Sequence, residues 1–324
     1  MNSGLLLVDK PAGITSHAVV ARVLRAFADD FPDLRSKKKR GGGPASVRFR
    51  VGHAGTLDPL ATGLLLLLVG RASRLTPFLI GLDKTYLATI RFGRATDTLD
   101  ADGAVIATAP PPIGIAQVSA VLDHFTGPIL QVPPIYSALK REGKTLHREA
   151  RAGVDVPEPE PRPVTIHGLR ITGARWDQPQ PELDLEVSCS SGTYVRSLAR
   201  DLALAAGSVG HLSALRRTVV GPYRVDDAPD GVMEAKGADL ARRVIAPGRS
   251  LPHLPQVVLA DADAAAVRQG RQPDAAWLAA AGDAHLVCLL APDGDLVAVA
   301  GRMEDDGWRL ETVLPAGEGD APCA

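Results

Sequence analysis

The N-terminal part of the chain contains two stretches with a clear apolar pattern. The first begins at Thr15 or Ser16, either of which can cap a helix. Its apolar residues share one helical face: Val19, Val20, Val23, Leu24 and Phe27. The second is the unbroken apolar run 64–69, which is typical of a strand buried in a core. Between them, 28–50 breaks the helical pattern and is interpreted as a flexible insertion.

Three further segments have strand patterns. Apolar residues fill every second position of 84–92, and they are Tyr86, Ala88, Ile90 and Phe92. The same alternation in 183–189 predicts a second strand, and 164–172 is predicted to be a third. Strands with this alternation have one side buried and the other side in contact with solvent.

Two more helices are predicted in the same part of the chain. Residues 115–125 carry apolar side chains at helical spacing, and the pattern stops at Gly127-Pro128. Residues 195–206 form the second helical pattern, which Gly207 ends. This part of the chain therefore combines strands and helices.

The composition changes near 247–255, where three prolines cluster. We interpret this stretch as the boundary between a domain at 1–250 and a smaller one at 251–316, followed by a tail at 317–324. An Asp293-Gly294 pair in the smaller domain is typical of a hairpin turn. Short strand patterns surround it, at 286–290, 295–300 and 308–314. The smaller domain is therefore predicted to be a β-rich module.

The sequence argues against several classes of protein. The longest purely apolar run, 64–69, is far too short to span a bilayer, and 5–8 is too short for the core of a signal peptide. The three cysteines are widely spaced and form no CxxC pair, so neither a structural zinc site nor a disulfide framework is expected. There is no HExxH, no Walker-type glycine loop and no GxGxxG before a helix. We therefore expect a cytoplasmic protein that needs no metal or other cofactor.

Charge is distributed unevenly along the chain. Residues 35–50 contain seven Lys and Arg residues and no acid, and a basic excursion that we expect to be mobile follows at 131–155. Residues 251–315 are acidic, with ten Asp and Glu residues against four Lys and Arg residues. Basic segments attract a phosphate backbone because binding releases counterions, which indicates a nucleic-acid partner. The alternative is a solvated loop that keeps the protein soluble.

The densest cluster of unusual residues is 52–63, GHAGTLDPLATG. Its glycines allow backbone shapes that a side chain would block, and Pro59 biases Asp58 away from helical geometry. A single carboxylate is thus presented on an ordered loop beside the strand 64–69, where catalytic groups are commonly placed. Taken alone, an Asp before a Pro more often forms an Asx turn or caps a helix.

A second cluster, SGTYVR at 191–196, lies where a strand pattern meets a helical one. Arg196 could hold a carboxylate through two hydrogen bonds, which would lower the pKa of that acid and fix its direction. Tyr194 offers an aromatic ring and a hydroxyl. Taken alone, Tyr194 and Tyr86 are more often core aromatics, Arg196 is more often a surface residue, and His53 is more often a turn histidine than a catalyst.

Seven collinear segments resemble the TruB-type tRNA pseudouridine 55 synthases. They are LLVDKPAGITSHAVV (6–20), GHAGTLDPLATG (52–63), DKTY (83–86), ATDTLDADG (95–103), PPIYSALK (133–140), GTYVRSL (192–198) and HLSALRR (211–217). The smaller domain resembles a PUA domain, an RNA-binding β-barrel, in LADADAAAVRQGR (259–271) and DGDLVAVAGR (293–302). Its acidity argues against strong RNA binding by this module alone.

The resemblance implies an α+β protein with the pseudouridine synthase fold, a mainly antiparallel mixed β-sheet flanked by helices, followed by a small β-barrel-like PUA module. Asp58 then falls on the catalytic aspartate of the family, and Arg196 is expected to form an ion pair with it. The resemblance also implies further substrate-binding residues: Tyr86, which stacks on the target base, Tyr194, Leu215, which lines the uracil pocket, and His53, which helps to hold the T-loop.

The implied reaction is the isomerisation of uridine 55 in the T-loop of tRNA, on a base that is flipped out of its stack. The C1′–N1 bond breaks, the base turns, and a C1′–C5 bond forms; carboxylates act at a comparable centre in glycosidases. The segment 131–155 is expected to order against RNA, and the insertion 28–50, longer than the family pattern, to add phosphate contacts. Two alternatives remain open: a tRNA-folding chaperone, and a synthase that acts on another RNA. We expect a monomer.

Overall fold

The structure, a computed structural model, describes residues 3–31, 49–137, 140–141, 144–145, 157–304 and 307–316. Most of the predicted insertion 28–50, most of the predicted excursion 131–155 and the whole tail 317–324 lie outside the described residues.

The strands, in chain order, are β1 (Gly4–Lys10), β2 (Val51–His53), β3 (Thr62–Val69), β4 (Lys84–Phe92), β5 (Arg94–Thr96), β6 (Val105–Thr108), β7 (Gly127–Gln131), β8 (Lys140–Arg141), β9 (Lys144–Thr145), β10 (Arg162–Arg175), β11 (Glu182–Cys189), β12 (Gly210–Val220), β13 (Tyr223–Arg224), β14 (Gln256–Val258), β15 (Leu286–Leu290), β16 (Leu296–Arg302) and β17 (Trp308–Val313). The helices are α1 (Ser16–Asp30), α2 (Thr76–Ile80), α3 (Ile115–Leu122), α4 (Val195–Ala205), α5 (Gly237–Arg243), α6 (Asp261–Arg268) and α7 (Ala275–Leu278).

A single large sheet organises the N-terminal part of the chain. Its hydrogen-bonded order is β1-β3-β12-β4-β11-β10-β7, with β2 beside β3 and β13 beside β12. Every neighbouring pair is antiparallel except β12 and β3, which are parallel. The predicted α+β architecture with a mainly antiparallel mixed sheet is confirmed, and the three predicted strands are β4, β11 and β10.

Strand β3 is buried on both sides. Leu65 and Leu67 belong to an apolar cluster that includes residues of α1, β4, β11 and α4, which we call the front core. Leu64 and Leu66 belong to a second cluster that includes residues of β15 and β16, which we call the rear core. Because neither side of the strand faces water along 64–69, this stretch has no polar positions, and this explains the unbroken apolar run in the sequence.

Helix α1 packs on the front core and begins as the sequence predicts. The Thr15 hydroxyl accepts a hydrogen bond from the amide of Ala18 at 3.0 Å, which caps the helix. The predicted apolar face is buried except at Leu24, whose side chain is 37% exposed, so the prediction was wrong at this position. The helix continues to Asp30, two residues beyond the predicted start of the insertion at residue 28.

Helix α4 covers another part of the front core. It runs from Val195 to Ala205, and Gly207 follows with a φ of +72°, the left-handed conformation that commonly ends a helix. Helix α3 ends at Leu122, and one turn of 3₁₀ helix continues it to Phe125. Both helices therefore lie where their patterns predict them. No helix in the described part of the chain is both long and apolar enough to cross a membrane.

The C-terminal module packs directly on the large sheet. Its described residues form a four-stranded sheet in the order β14-β15-β16-β17, which is open, so the predicted barrel closure is not seen among them. Cys288, Leu290 and Leu296 of this module share the rear core with β1 and β3. An ion pair at 2.6 Å between Arg71 Nη2 and Asp295 Oδ1 lies beside it. The module therefore covers the side of β3 that faces away from α1.

Candidate active site

Asp58 lies on the connection between β2 and β3, and the start of α1 holds this connection in place. The amide of Leu57 donates to Ser16 Oγ, and Ser16 Oγ donates to the Leu57 carbonyl, both at 2.8 Å. Lys10, at the end of β1, donates through Nζ to the Pro59 carbonyl at 3.4 Å. Both residues adjacent to Asp58 are thus tied to other parts of the chain, so its carboxylate is carried on a fixed turn.

Arg217 of β12 supports the same connection from inside the protein, where it is only 1% exposed. Its Nη2 donates to the Gly55 carbonyl at 3.1 Å, its Nη1 to the Thr56 carbonyl at 3.5 Å, and its Nε to the Leu64 carbonyl at 2.7 Å. Gly63 permits this approach: it has a φ of +99°, and a Cβ there would lie 2.2 Å from the Arg217 carbonyl oxygen.

Arg196 at the start of α4 faces Asp58. Its Nε lies 2.9 Å from Asp58 Oδ2, so the structure brings together the two residues that the resemblance pairs. The other two guanidinium nitrogens donate to carbonyls, Nη1 to Thr98 at 2.8 Å and Nη2 to Tyr136 at 2.9 Å. A second carboxylate, Asp100, places Oδ2 at 3.5 Å from Nη1. The expected pair of hydrogen bonds from Arg196 to the carboxylate is therefore replaced by an ion pair through Nε alone. The two Nη atoms donate to backbone carbonyls instead.

The charge state of Asp58 is set by opposing effects. Burial is the largest, and it raises the pKa of Asp58 above its usual value because the ionised carboxylate loses contact with water. The Arg196 and Lys10 cations lower this pKa, and the neighbouring Asp100 carboxylate raises it further. The net shift is upward. The sequence suggested that Arg196 would lower the pKa, and it does pull in that direction, but burial outweighs it.

Tyr86 and Leu215 lie on adjacent strands and on the same face of the sheet. Tyr86 of β4 is directly opposite Arg217 of β12, and Leu215 is directly opposite Ala88. Tyr86 is 8% exposed and Leu215 is half-buried. Burial raises the pKa of Tyr86, although the Arg217 guanidinium, which hydrogen-bonds with the phenol, opposes the rise. Tyr86 therefore remains a neutral aromatic ring, and Arg217 on the adjacent strand contacts its hydroxyl.

Tyr194 immediately precedes α4 and is half-buried. Its amide donates to Gln131 Oε1 at 2.8 Å, and its hydroxyl lies near the Ser137 side chain. Burial raises the pKa of Tyr194, and Arg196 and Asp58 lie close enough to influence that pKa. The turn that carries Tyr194 and Arg196 is thus attached to the segment 131–137, which leads into the part of the chain expected to contact RNA.

His53 lies on the short strand that precedes the Asp58 turn. It lies on β2 opposite Leu67 and is half-buried. Burial lowers the pKa of His53, and the nearby Arg217 and His17 side chains lower it further. Its buried Nδ1 has no hydrogen-bond partner within the described residues. His53 is therefore expected to be neutral, and it is connected to the site through Arg217.

The assembled site places the Asp58 carboxylate beside a fixed cation, and Asp100 is a second carboxylate on the same guanidinium. A carboxylate in this setting can attack an electron-poor carbon or accept a proton. Within the described ranges, no three His, Cys, Asp or Glu residues are grouped so that they could hold a metal ion. Sequence reasoning did not single out Lys10, Asp100, Gln131 or Arg217. Three of these lie in the segments that carry the resemblance, at 6–20, 95–103 and 211–217, and this was the available signal.

Comparison with known proteins identifies close relatives. The family model described as TruB family pseudouridylate synthase (N terminal domain) matches residues 44–195. A protein of Aromatoleum aromaticum named tRNA pseudouridine synthase B is 44% identical over 83% of this chain and 80% of its own length. Proteins of the same name from Thermobifida fusca and Corynebacterium efficiens are 42% and 39% identical. The first of these alignments covers 93% of this chain and 94% of the relative, and the second covers 97% and 96%.

Solved structures with the same fold come from more distant proteins. A chain of an H/ACA ribonucleoprotein bound to a substrate RNA containing 2'-deoxyuridine matches with a TM-score of 0.65 and 22% identity, over 97% of this chain and 86% of that one. A chain of a Cbf5-Nop10-Gar1 complex matches with a TM-score of 0.63 and 23% identity, over 96% and 85%. At these identities the likeness concerns the fold, and it confirms the architecture that the resemblance implied.

Proposed function

This chain belongs to the TruB family of pseudouridylate synthases, and from that premise we propose that it modifies uridine 55 in the T-loop of tRNA with Asp58 as the essential carboxylate. Its close relatives are named tRNA pseudouridine synthase B, and its reaction is the isomerisation of uridine to pseudouridine in tRNA. The observation that supports the role of Asp58 is its 2.9 Å ion pair with Arg196 on an otherwise fixed turn.

The reaction breaks the C1′–N1 bond of the uridine, turns the detached uracil, and joins C1′ to C5, from which a proton is then lost. Asp58 takes one of two roles in this sequence: it attacks C1′ as a nucleophile, or it removes a proton from the sugar. Both roles require the ionised carboxylate. Arg196 keeps that carboxylate charged and aimed, because three backbone and side-chain partners fix its own guanidinium.

The uracil must be retained while it turns, because no free base leaves the enzyme in an isomerisation. Tyr86 offers an aromatic face, Leu215 an apolar wall on the neighbouring strand, and Tyr194 a ring with a hydroxyl. Aromatic and apolar surfaces hold a base by stacking without fixing its orientation. These three side chains are therefore proposed to form the pocket in which the base rotates.

The tRNA is proposed to contact a wider surface than this pocket. A T-loop uridine is stacked inside folded tRNA, so it must be flipped out to reach Asp58. His53, which is neutral and lies beside Arg217, is proposed to help hold the loop after the base has left its stack. The basic segments 28–50 and 131–155 are proposed to contact phosphates, and we propose that the protein acts as a monomer.

The decisive experiment replaces Asp58 by Asn, which keeps the size of the side chain and removes its charge. Unmodified tRNA transcript is incubated with wild type or Asp58→Asn, and pseudouridine is mapped by carbodiimide treatment and primer extension. Asp239→Asn is the control, because Asp239 pairs only with Arg242 and Arg243 on the surface of α5. We expect one stop at the T-loop uridine with wild type and the control, and none with Asp58→Asn.

A parallel binding measurement separates the alternatives. We expect the dissociation constant of the Asp58→Asn variant for tRNA to stay within about threefold of wild type, since the change affects one side chain of a large interface. Undiminished modification by Asp58→Asn would disprove the role of Asp58. Strong binding without any modification by wild type would favour the chaperone, and stops in another RNA would favour a different substrate.

A further inference from the structure

The turn that carries Asp100 contains a residue in a left-handed backbone conformation. Leu99 has a φ of +64°, and in the described part of the chain it is the one residue other than glycine with a positive φ. This conformation brings Cβ of an L-residue too close to its own backbone, so glycine and asparagine adopt it far more readily than leucine. A sterically costly backbone persists only where surrounding contacts hold it.

Contacts hold Leu99 from both directions. Its amide donates to the Thr96 carbonyl at 3.2 Å, and its carbonyl accepts from the amide of Leu212 at 3.0 Å. The next residue but one, Ala101, donates its amide to the Leu212 carbonyl at 3.0 Å. The backbone on each side of Leu99 is therefore fastened, either within the turn or to β12.

The residues on either side of Leu99 both reach one guanidinium group. The Thr98 carbonyl accepts from Arg196 Nη1 at 2.8 Å, and Asp100 Oδ2 lies 3.5 Å from the same nitrogen. Thr98 also donates through Oγ1 to Asp100 Oδ1 at 2.6 Å, which turns the carboxylate toward the carbonyl. A carbonyl and the side chain two positions later converge in this way because the backbone reverses between them.

We propose that Leu99 is a positioning residue: its left-handed backbone makes Thr98 and Asp100 converge on Arg196 and so fixes the cation beside Asp58. The side chain of Leu99 gives no competing reason for its conformation. It is half-buried and belongs to none of the three apolar clusters found among the described residues. The role is therefore one of backbone geometry, and it rests on the proposed pairing of Asp58 with Arg196.

Two kinds of substitution separate backbone geometry from side-chain packing. Leu99→Gly and Leu99→Asn remove the apolar side chain but adopt a positive φ easily. Leu99→Ile keeps the volume and the apolar character but is β-branched, and β-branched residues resist a positive φ most strongly. If the backbone matters, the Gly and Asn variants are the active ones. If packing matters, the order is reversed.

The measurement is the single-turnover rate of pseudouridine formation with saturating tRNA, together with the dissociation constant for tRNA. We expect Leu99→Gly and Leu99→Asn to keep the rate within about threefold, and Leu99→Ile to lose about tenfold or more, because β-branching adds to the cost that Leu99 already pays for its left-handed conformation. The dissociation constant should be unchanged in all three variants, because Leu99 is proposed to act through Arg196 rather than through tRNA.

Leu99→Ala replaces Leu99→Ile if the latter does not fold, and it is expected to be slower than Leu99→Gly. A Leu99→Ile enzyme as fast as wild type, or slower Gly and Asn variants with an active Ile variant, would overturn the inference. Asp58→Asn is assayed in the same series. If it is inactive while the Leu99 variants follow the packing order, the inference fails alone; if it is active, the proposed function fails first.

Discussion

The two sides of strand β3 are stabilised by different physical means. On the front side, Arg217 of the neighbouring β12 lies inside the protein and donates three hydrogen bonds to backbone carbonyls around the Asp58 turn. On the rear side, Leu64 and Leu66 pack in the rear core, several of whose apolar residues come from the C-terminal module. The difference teaches that both sides bury apolar residues, and that the front side in addition uses a buried cation to hold the turn that carries the Asp58 carboxylate.

The largest effect is expected when the polar side is broken at Arg196. In Arg196→Met, Asp58 loses its cation, and the Thr98 and Tyr136 carbonyls lose their donor. The variant leaves the Asp58 carboxylate without the cation that aims it and favours its ionised form, so we expect the single-turnover rate to fall by about 100-fold. Circular dichroism should show that the variant is folded at the assay temperature.

Arg216→Met is the matched control for that variant. Arg216 is the residue before Arg217, and it forms an exposed two-bond pair with Asp9 at 3.0 and 2.7 Å. Exposed pairs contribute little, so its rate should stay within about threefold of wild type. Equal losses in both variants would mean that general charge, rather than the geometry at Asp58, determines activity.

A smaller effect, and one on stability instead of activity, is expected on the apolar side. Leu66→Ala removes a fully buried side chain from the rear core and should lower the free energy of unfolding by about 2–5 kcal/mol. The rate well below the melting temperature should be unchanged, since Leu66 points away from the Asp58 turn. Denaturant titration with and without activity assays measures both quantities.

Leu87→Ala sharpens that result. Leu87 occupies β4 of the same sheet, but it is 41% exposed. We expect a change of about 0.5 kcal/mol or less. If Leu66→Ala destabilised the protein no more than Leu87→Ala does, the rear core would not be the source of stability that the structure indicates.

The smallest expected effect is the change of stability and activity with pH. The pKa of Asp58 is raised in the folded protein, so folding favours the protonated carboxyl over the ionised carboxylate. Its contribution to stability is present below the usual pKa of 3.8 and is lost as the pH rises through the raised value. In the proposed role of Asp58, activity requires the ionised form and should therefore increase over the same interval.

The two pH profiles of the wild type can be compared with those of Asp58→Asn. We expect the variant to lack the loss of stability in this interval and to be at least as stable as wild type above it. Denaturant titrations across the interval, with single-turnover rates for the wild type, measure this. Parallel stability profiles for the two proteins would contradict the raised pKa of Asp58.

The sequence predicted individual elements well wherever one side of an element faces solvent. The alternation in 84–92 identified β4 because its inner residues are buried and Leu87 is not. The unbroken run 64–69 identified a core strand but not its partners, since nothing in six apolar residues states that β15 and β16 will cover them. Leu24 shares the apolar face of α1 but is exposed. Helical spacing locates an apolar face only approximately, and the packed face of α1 is narrower than its apolar face.

For the candidate site, the sequence named individual residues but predicted only part of how they contact one another. The resemblance paired Asp58 with Arg196, and the structure places them in contact. The sequence did not identify Arg217 and Lys10, because their partners are backbone carbonyls, which no residue type reveals. Gly55 and Arg217 are also far apart along the chain. The direction of the Asp58 pKa depends on how much water reaches the carboxylate, and that is a property of the packed molecule.

The anchors of the Asp58 turn also have a consequence for when the enzyme becomes active during its synthesis. Ser16 and Lys10 leave the ribosome before Asp58, but Arg217 follows it 159 residues later along the chain. Contacts between such distant residues form late, after the intervening chain has been ordered. A nascent chain without β12 lacks the strand that lies between β3 and β4, and it also lacks the guanidinium that holds residues 55 and 56. The growing polypeptide is therefore expected to meet cellular RNA in an inactive form until most of it has been translated.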